Sequence, residues 1–201
     1  MTQQTTLDVG SQERSKSGRV KRDAYFTPDP LALTLVRTLA RDFQLQPDTV
    51  LEPSAGGGAF VRAIRRQWPA AFVTANDIQE TNIPESDVDT CFDFVKLGTA
   101  GQDLIVGNPP FKHAEPHVRH ALSLRKPGGT VAFLLRLAFA ESKGRVPFWE
   151  EFRPARVYVL SERPSFTGGG TDSAAYGFFV WQEGWSGPTE MRWIHRWTGA
   201  K

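Results

Sequence analysis

The residues with the clearest chemical potential are Asn108, Pro109, Pro110 and Phe111, which directly follow a short apolar run at 104–106. Two consecutive prolines hold the backbone extended and remove two N–H donors. The turn therefore exposes backbone carbonyls and the Asn108 side-chain oxygen, all of which are hydrogen-bond acceptors. An incoming amino group would satisfy these acceptors, so the motif indicates a site that binds one.

A second motif is the glycine-rich turn at 55–58, which comes shortly after Glu52 at the end of another apolar run. Glycines let the backbone pass close to a ligand, and the start of the following helix offers free N–H groups to an anionic group. Val61 stands where a dinucleotide fingerprint has its third glycine, and the Gly-Lys-Ser/Thr of a P-loop is missing. The turn is thus either a plain strand-to-helix connection or a ligand loop of another kind.

Asp77 favours the ligand-loop interpretation. It ends the next predicted strand, about 20 residues after the glycines, where a doubly wound fold places the carboxylate that accepts ribose hydroxyls. The alternative for Asp77 is an exposed acid in a turn.

The elements that must position these residues alternate along the chain from residue 49. Predicted strands cover 49–51, 71–76, 88–92, 103–106, 130–135, 156–160 and 176–181. Predicted helices cover 59–67, 113–125 and 141–152. The pattern predicts an α/β fold with a Rossmann-like, doubly wound and mostly parallel sheet. Because 161–175 has no helical pattern, the final strand is expected to be antiparallel.

An earlier helix is predicted to begin with Thr27 as N-cap and Pro28 in the first helical position, and to end near 44–47. Ahead of it, residues 1–22 carry a net charge of +3, which leaves −1 for the other 179 residues. This segment has almost no large apolar residue, so we expect a disordered basic tail. It is either a solvated arm or a nucleic-acid contact.

Length and composition suit one globular domain over 23–201, since 40% of the 201 residues are hydrophobic and 23% are charged. The one cysteine, Cys91, excludes an intrachain disulfide and a multi-cysteine zinc site, and suits a cytoplasmic protein. No apolar run has the length that a membrane span needs, and the N-terminus lacks the apolar region of a secretory signal. We therefore expect neither a metal site nor a membrane partner.

Five segments occur in an order that points to a known family. They are Tyr25-Phe26-Thr27-Pro28, the run from Glu52 to Gly58, Asp77, Asp93-Phe94, and Asn108-Pro109-Pro110-Phe111. With them, the chain resembles, over about 23–182, the class I S-adenosylmethionine-dependent methyltransferases that act on exocyclic amino groups of nucleobases, chiefly N6 of adenine. It looks most like the phage and prophage DNA adenine methyltransferases. The resemblance implies S-adenosyl-L-methionine as cofactor and a single catalytic domain over 23–201 without a separate target-recognition domain.

The resemblance also implies a role for each matching position on the cofactor side. The implied cofactor-binding residues are Phe26, Thr27, Glu52, Ala55, Gly56, Gly58, Asp77, Ile78, Asp93, Phe94 and Asn108. The first two lie against the methionine end of the cofactor, and Glu52 with the glycine-turn backbone holds its amino-acid part. Asp77 binds the ribose. Asp93 and Phe94 bind the cofactor's adenine, or else they are a strand end with one core aromatic.

On the substrate side, the resemblance implies that Asn108 and the Pro109 carbonyl bind the target amino group within the catalytic turn that Pro110 and Phe111 complete. Phe111 stacks on the target base. The segment from Arg163 to Phe166, with the glycine-rich run that follows, is similar to the loop of phage-type members in which a second aromatic, here Phe166, faces the first across the base. The alternative is a mobile hairpin loop with an incidental phenylalanine.

These assignments predict methyl transfer to the N6 amino group of adenine in DNA, with low or short sequence specificity. The base must be flipped out of a duplex or come from a single strand. RNA adenine, cytosine N4 and a protein glutamine amide are alternative amino targets. Carbon-5 cytosine methylation is excluded, because Cys91 is in or beside a strand and away from the Asn-Pro-Pro-Phe turn. A catalytically silent module that binds the cofactor and nucleic acid or a partner is the alternative of a different class.

The C-terminal segment 183–201 is too short for a recognition domain, so a partner could supply specificity. Its aromatic and basic side chains are Trp185, Arg192, Trp193, His195, Arg196 and Trp197. These could stack on nucleic acid and neutralise it. We favour the simpler interpretation, an edge strand that caps the core.

Overall fold

The structure is a computed structural model that describes residues 25–98, 101–166 and 172–197. The predicted basic tail at 1–22, and residues 167–171 of the glycine-rich loop, lie outside the described residues.

Helices and strands alternate as the sequence pattern predicts. In chain order they are α1 (Asp29–Phe43), β1 (Thr49–Glu52), α2 (Ala59–Gln67), β2 (Phe72–Asp77), β3 (Val88–Cys91), β4 (Gln102–Gly107), α3 (Ala114–Leu124), β5 (Arg125–Arg136), α4 (Val146–Glu151), β6 (Arg156–Leu160), β7 (Tyr176–Gln182) and β8 (Glu190–Ile194). Each predicted strand is present, with ends that shift by a few residues and, for β5, a longer first half. The prediction of a mixed α/β fold is confirmed.

The strands form one eight-stranded sheet in the order β3-β2-β1-β4-β5-β7-β6-β8. All pairings are parallel except those of β7, which is antiparallel to both β5 and β6. The predicted antiparallel final pair is therefore confirmed. Because β1, β2 and β4 are parallel neighbours, their carboxyl ends meet at one edge of the sheet, where Glu52, Asp77 and Gly107 stand.

Period-2 alternation along the strands fills two cores, one on each face of the sheet. In β4, Leu104 and Val106 belong to the core that also contains α1 and α2, whereas Ile105 belongs to the core with α3 and α4. Both faces are apolar, which is typical of strands covered on both sides by helices. Burial of each such side chain stabilises the fold by roughly 1.5–3 kcal/mol.

Two helix predictions need correction. Helix α1 begins at Asp29 rather than Pro28, and Thr27 is not its N-cap, because the extended Pro28 occupies that position and the Thr27 hydroxyl bonds to Asn108 instead. The helix predicted over 141–152 is only Val146–Glu151, with a short 3₁₀ turn ahead of it. Pro147 is the second residue of this helix. Because proline lacks an N–H and its ring would clash with a preceding helical turn, it is tolerated only in the first turn, so the helix cannot extend from 141 through it.

The C-terminal segment contains an edge strand, as the favoured interpretation predicted. Strand β8 pairs with β6 in parallel. Trp197 is buried, and Arg192 forms ion pairs with Asp42 and Glu190. Among the described residues, no helix is long and apolar enough to span a bilayer.

Candidate active site

A cavity of about 380 Å³ opens at the carboxyl edge of the sheet, between the glycine turn and the segment that leads into α1. This volume lies in the range of small-molecule sites. Its lining residues are Tyr25, Phe26, Thr27, Pro28, Asp29, Glu52, Ser54, Ala55, Gly56, Gly57, Ala59, Phe60, Arg62, Asn108 and Ser165. The cavity thus brings together three of the predicted motifs, which are separated along the chain.

The glycine turn is shaped by positive backbone angles and by a close aromatic ring. Gly56 has φ +49° and Gly58, the N-cap of α2, has φ +75°, a region that side-chain-bearing residues rarely adopt. A Cβ on Gly56 would stand 3.1 Å from the ring of Phe26, which lies over the turn. The glycine turn and the Phe26 ring that contacts it therefore both line the cavity.

Asp77 ties this turn to the end of β2. One carboxylate oxygen accepts the Gly56 N–H at 2.9 Å, and the other accepts the Gln79 N–H at 3.0 Å. Each oxygen keeps further acceptor capacity. Asp77 is placed where the sequence predicted, and its binding of ribose hydroxyls stays a prediction.

Glu52 is a buried carboxyl group at the end of β1, only 1% exposed. Its Oε1 accepts the Ser54 N–H at 3.0 Å, and Gly107 of β4 packs directly against the carboxyl group. Burial raises the pKa of Glu52 well above its ordinary value, while the Ser54 hydrogen bond opposes that shift and Asp77 adds to it. Across the described ranges no Lys, Arg or His forms an ion pair with Glu52, so a cationic group of a ligand would meet no competing cation here and would favour the ionised form of the carboxyl group.

Asn108 presents one unused acceptor. Its Nδ2 donates to the Tyr25 carbonyl at 3.0 Å and to the Thr27 hydroxyl at 3.1 Å, which uses both N–H bonds. Its Oδ1 is buried and has no hydrogen-bond partner. A buried acceptor without a partner costs free energy, about 1–3 kcal/mol, that a bound N–H donor would recover.

Beside Asn108, four aromatic rings form a cluster. Phe111 lies 5.4 Å from Tyr25, 5.3 Å from Tyr176 and 6.1 Å from Phe166, as measured between ring centroids. The predicted pair Phe111 and Phe166 is thus brought together. However, the two rings meet edge to face at 66°, so they do not form parallel plates with a base-wide gap between them. Tyr25 and Tyr176, which both contact Phe166, hold that edge-on arrangement.

Arg136, at the end of β5, packs on the aromatic cluster, and the sequence prediction did not include it. Its guanidinium carbon is 5.0 Å from the Phe111 ring centroid and 5.6 Å from that of Tyr25. Its N–H groups reach the hydroxyls of Tyr25 and Tyr176 at 3.4 Å, and Tyr176 in turn donates to Asp172 at 2.7 Å. The feature of the sequence that could have identified Arg136 is its place as a cationic residue directly after the apolar run of β5, at the carboxyl end of the strand.

The residues predicted for the cofactor's adenine lie apart from the cavity lining. The Phe94 ring is buried in the core, 5.5 Å from His117 and 4.9 Å from His120, and Asp93 pairs with Lys96. Its burial leaves Phe94 no free ring face, so only the Asp93-Phe94 backbone or the Asp93 carboxylate could reach a ligand. Two exposed apolar side chains, Ile78 at 68% and Phe92 at 60%, follow β2 and β3 at the same edge. Phe92 was not predicted as a site residue.

The arrangement of the described residues does not favour catalysis by a cysteine nucleophile or by a metal ion. Cys91 ends β3, which lies three strands away from β4. At the usual strand spacing, this puts Cys91 roughly 14 Å from the Asn108 turn. Within the part of the chain that the structure describes, no group of three or more His, Cys, Asp or Glu residues could hold a metal ion.

No protein-family model matches this chain, and no curated protein matches its sequence. Solved structures do match its fold. A protein from Listeria monocytogenes classified as a class I S-adenosylmethionine-dependent methyltransferase is 12% identical, with a TM-score of 0.71 over 90% of this chain and 69% of its own. A protein from Pyrococcus horikoshii classified as an RNA methyltransferase is 14% identical, with a TM-score of 0.64 over 84% of this chain and 91% of its own.

A third match is a protein from Vibrio vulnificus classified as the modification subunit of a type I restriction enzyme. It is 17% identical, with a TM-score of 0.64 over 91% of this chain. This chain spans about half of that subunit, 49% of its length. With the strand order and the antiparallel β7, these likenesses show that the chain has the class I S-adenosylmethionine-dependent methyltransferase fold.

Proposed function

We propose that this protein transfers a methyl group from S-adenosyl-L-methionine to the exocyclic N6 amino group of adenine in DNA, with low or short sequence specificity. The observation that carries the proposal is the buried Oδ1 of Asn108, which has no partner and belongs to a residue that lines the same cavity as Glu52 and the glycine turn. An acceptor held in this way fits an amino group of the substrate.

The cavity fits the cofactor on grounds of its own chemistry. The buried Glu52 carboxyl group lacks a cationic partner, which suits the ammonium of an amino-acid moiety. Asp77 is not itself a lining residue, but it is hydrogen-bonded to the lining residue Gly56 and its carboxylate can accept further hydrogen bonds, which suits ribose hydroxyls. When bound, S-adenosyl-L-methionine supplies a methyl group activated by a sulfonium.

The protein's own part in the reaction is to position and polarise the target amine. An aromatic amine is a weak nucleophile because its lone pair is delocalised into the ring. With one N–H donated to Asn108 Oδ1 and the other to the Pro109 carbonyl, the nitrogen is drawn toward tetrahedral geometry and its lone pair becomes available. The same acceptors stabilise the positive charge that develops on nitrogen, so positioning and electrostatics carry the catalysis and no covalent nucleophile is needed.

Charge and aromatic surface support a nucleic-acid substrate over a protein amide. Arg136 places a cation against Phe111, so the aromatic cluster beside Asn108 combines a stacking ring with attraction for phosphate. The ring pair Phe111 and Phe166 must open to admit a flipped base between them, because in the present arrangement they are in edge contact. A base could also stack on Phe111 alone.

RNA adenine is the second candidate substrate. The Pyrococcus protein classified as an RNA methyltransferase has this fold. A partner that supplies sequence specificity is proposed on the same basis, since a modification subunit of a restriction enzyme is among the matches.

The experiment that tests the function is product identification. The full chain is incubated with S-adenosyl-L-methionine and, separately, with unmethylated duplex DNA, single-stranded DNA and RNA, and the digested nucleosides are identified by mass spectrometry. N6-methyldeoxyadenosine in wild type but not in Asn108→Ala supports the proposal. N6-methyladenosine from RNA alone promotes the second candidate. Cofactor binding without product on any polymer contradicts both and leaves the silent module.

A further inference from the structure

Ser165 is a cavity residue to which no role has been given. Its hydroxyl oxygen is buried and has no hydrogen-bond partner, although the cavity that it lines is otherwise polar around Glu52 and Asn108. Buried hydroxyls normally find a partner, and the ones that do not need an explanation. Two other hydroxyls without partners, in Thr81 and Thr130, belong to residues that are not among those lining the cavity.

The segment around Ser165 is held in place against the aromatic cluster that contains Phe111. The next residue, Phe166, is buried and contacts both Tyr25 and Phe111. The preceding residue, Pro164, accepts the Asp172 N–H at 3.2 Å. The Ser165 hydroxyl is therefore positioned by its neighbours in chain sequence, without a hydrogen bond of its own.

Two residues that line the cavity, Asn108 and Ser165, thus each carry one buried polar atom without a partner, and the two atoms differ in character. Asn108 Oδ1 carries no hydrogen and can only accept, and the two N–H bonds donated within the protein fix it as the end of the amide that is left without a partner. The serine hydroxyl can donate. An adenine presents the matching pair on its Watson–Crick edge, where the exocyclic amine donates and the adjacent ring nitrogen, N1, accepts.

We propose that Ser165 contacts the substrate base, with its hydroxyl donating a hydrogen bond to the ring nitrogen next to the target amine while Asn108 accepts from the amine itself. This inference rests on the proposed function. The two hydrogen bonds fix the base in its own plane, and Phe111 restricts it from one face. Ser165 therefore selects bases in which the amine lies beside an unprotonated ring nitrogen.

The test removes the ring acceptor from the substrate and the donor from the enzyme. An oligonucleotide that the wild type methylates is compared with one in which the target adenine is replaced by 1-deazaadenine, which has C–H in place of N1. Wild type is expected to prefer adenine by about tenfold in kcat/KM, the usual effect of one hydrogen bond of this kind. Ser165→Ala is expected to lose that preference, because its kcat/KM should fall on adenine and change little on 1-deazaadenine.

Ser161→Ala is the matched control, because it removes another serine hydroxyl of the same connection, one that lies at the surface beside His195. It is expected to keep the wild-type preference. S-adenosyl-L-methionine affinity, measured by calorimetry, is expected to stay within about twofold of wild type in both variants, which separates a contact to the base from a contact to the cofactor.

An equal preference for adenine in wild type and Ser165→Ala overturns the Ser165 contact and leaves the proposed function standing. The same holds if Ser165→Ala weakens cofactor binding and slows both substrates alike. A wild type that methylates no adenine at all overturns the function and the contact together.

Discussion

The side-chain amide of Asn108 donates a hydrogen bond to the hydroxyl of Thr27, 3.1 Å away and 81 positions earlier in the chain. A second donation, to the Tyr25 carbonyl, completes the amide's N–H bonds. Since the N–H side of the amide is held by the segment before α1, the amide oxygen is the end left without a partner, in a residue that lines the cavity. The segment before α1 thus orients the group that we propose to bind the target amine.

Replacing Thr27 with valine should therefore impair turnover through Asn108. Two hydrogen bonds from Nδ2 hold the Asn108 amide in one orientation, and removal of the Thr27 hydroxyl eliminates one of them. We expect kcat to fall about tenfold in Thr27→Val, while Thr27→Ser stays near wild type. Thr34→Val is a matched control, because it removes a hydroxyl that bonds within α1. A loss of the same size in Thr34→Val would contradict a specific role for Thr27.

Removing the Asn108 side chain should separate chemistry from cofactor binding. Asn108→Ala deletes the acceptor for the target amine, so we expect single-turnover rates to fall by about 10²–10³, the usual cost of losing one preorganised electrostatic contact. Affinity for S-adenosyl-L-methionine, measured by calorimetry, should change only a few-fold. Rates close to wild type would refute the assignment of Asn108.

Asp77 should show the reverse behaviour. Asp77→Ala removes both the anchor of the glycine turn at Gly56 and the proposed acceptor for ribose. We expect cofactor affinity to fall by about tenfold or more, as fits the loss of hydrogen bonds to a charged group. Asp77→Asn, which keeps the shape and one acceptor oxygen, should fall between the two. Unchanged affinity in both variants would remove the ribose role.

The buried Glu52 predicts a pH dependence of stability. Burial raises its pKa above the ordinary value of 4.5, so the folded state binds a proton more tightly than the unfolded state does. This contribution to stability is fully present below pH 4.5 and is lost as the pH rises through the raised pKa. In urea unfolding without ligand, Glu52→Gln should gain stability relative to wild type as the pH increases from about 4.5 toward 8. Parallel pH profiles for the two proteins would show that Glu52 titrates normally.

The same variant should bind the cofactor poorly, because a neutral amide cannot pair with an ammonium group. Glu85→Gln is the matched control, because it makes the same substitution outside the cavity, and it should leave the affinity for S-adenosyl-L-methionine unchanged. Glu52→Gln should thus be more stable at neutral pH and yet weaker in calorimetric titrations with S-adenosyl-L-methionine. Equal affinity in Glu52→Gln and wild type would place the ammonium elsewhere.

Gly107 should tolerate no side chain while Glu52 is present. A Cβ on Gly107 would fall within the Glu52 carboxyl group, so Gly107→Ala must displace that group or the strand. We expect a loss of about 1–3 kcal/mol in the free energy of unfolding, which is typical of overpacking. In a Glu52→Ala background the cost of Gly107→Ala should shrink, and a double-mutant cycle measures the difference. Additive costs would show that Glu52 is not what excludes the side chain.

The parts of the fold that follow from local rules were predictable from the sequence. Short β-rich runs between amphipathic segments predicted seven of the strands, and the helical stretch predicted over 59–67 matched α2 at both ends. The missing helix before β7 predicted its antiparallel pairing. In the site, the glycine turn, Asp77 and the Asn108 turn could be identified because each depends on a short stretch of backbone whose chemistry is legible in the residue types themselves.

What only the tertiary structure decided are contacts between distant segments. Thr27 has the residue type of an N-cap, yet its hydroxyl bonds to Asn108, because α1 packs so that the two segments meet at the sheet edge. Arg136 lies on Phe111 since β5 is the neighbour of β4, and Phe94 turns into the core against α3 rather than toward a ligand. A local sequence pattern cannot predict these contacts, because they depend on which faces of the helices and strands pack against each other in the folded protein.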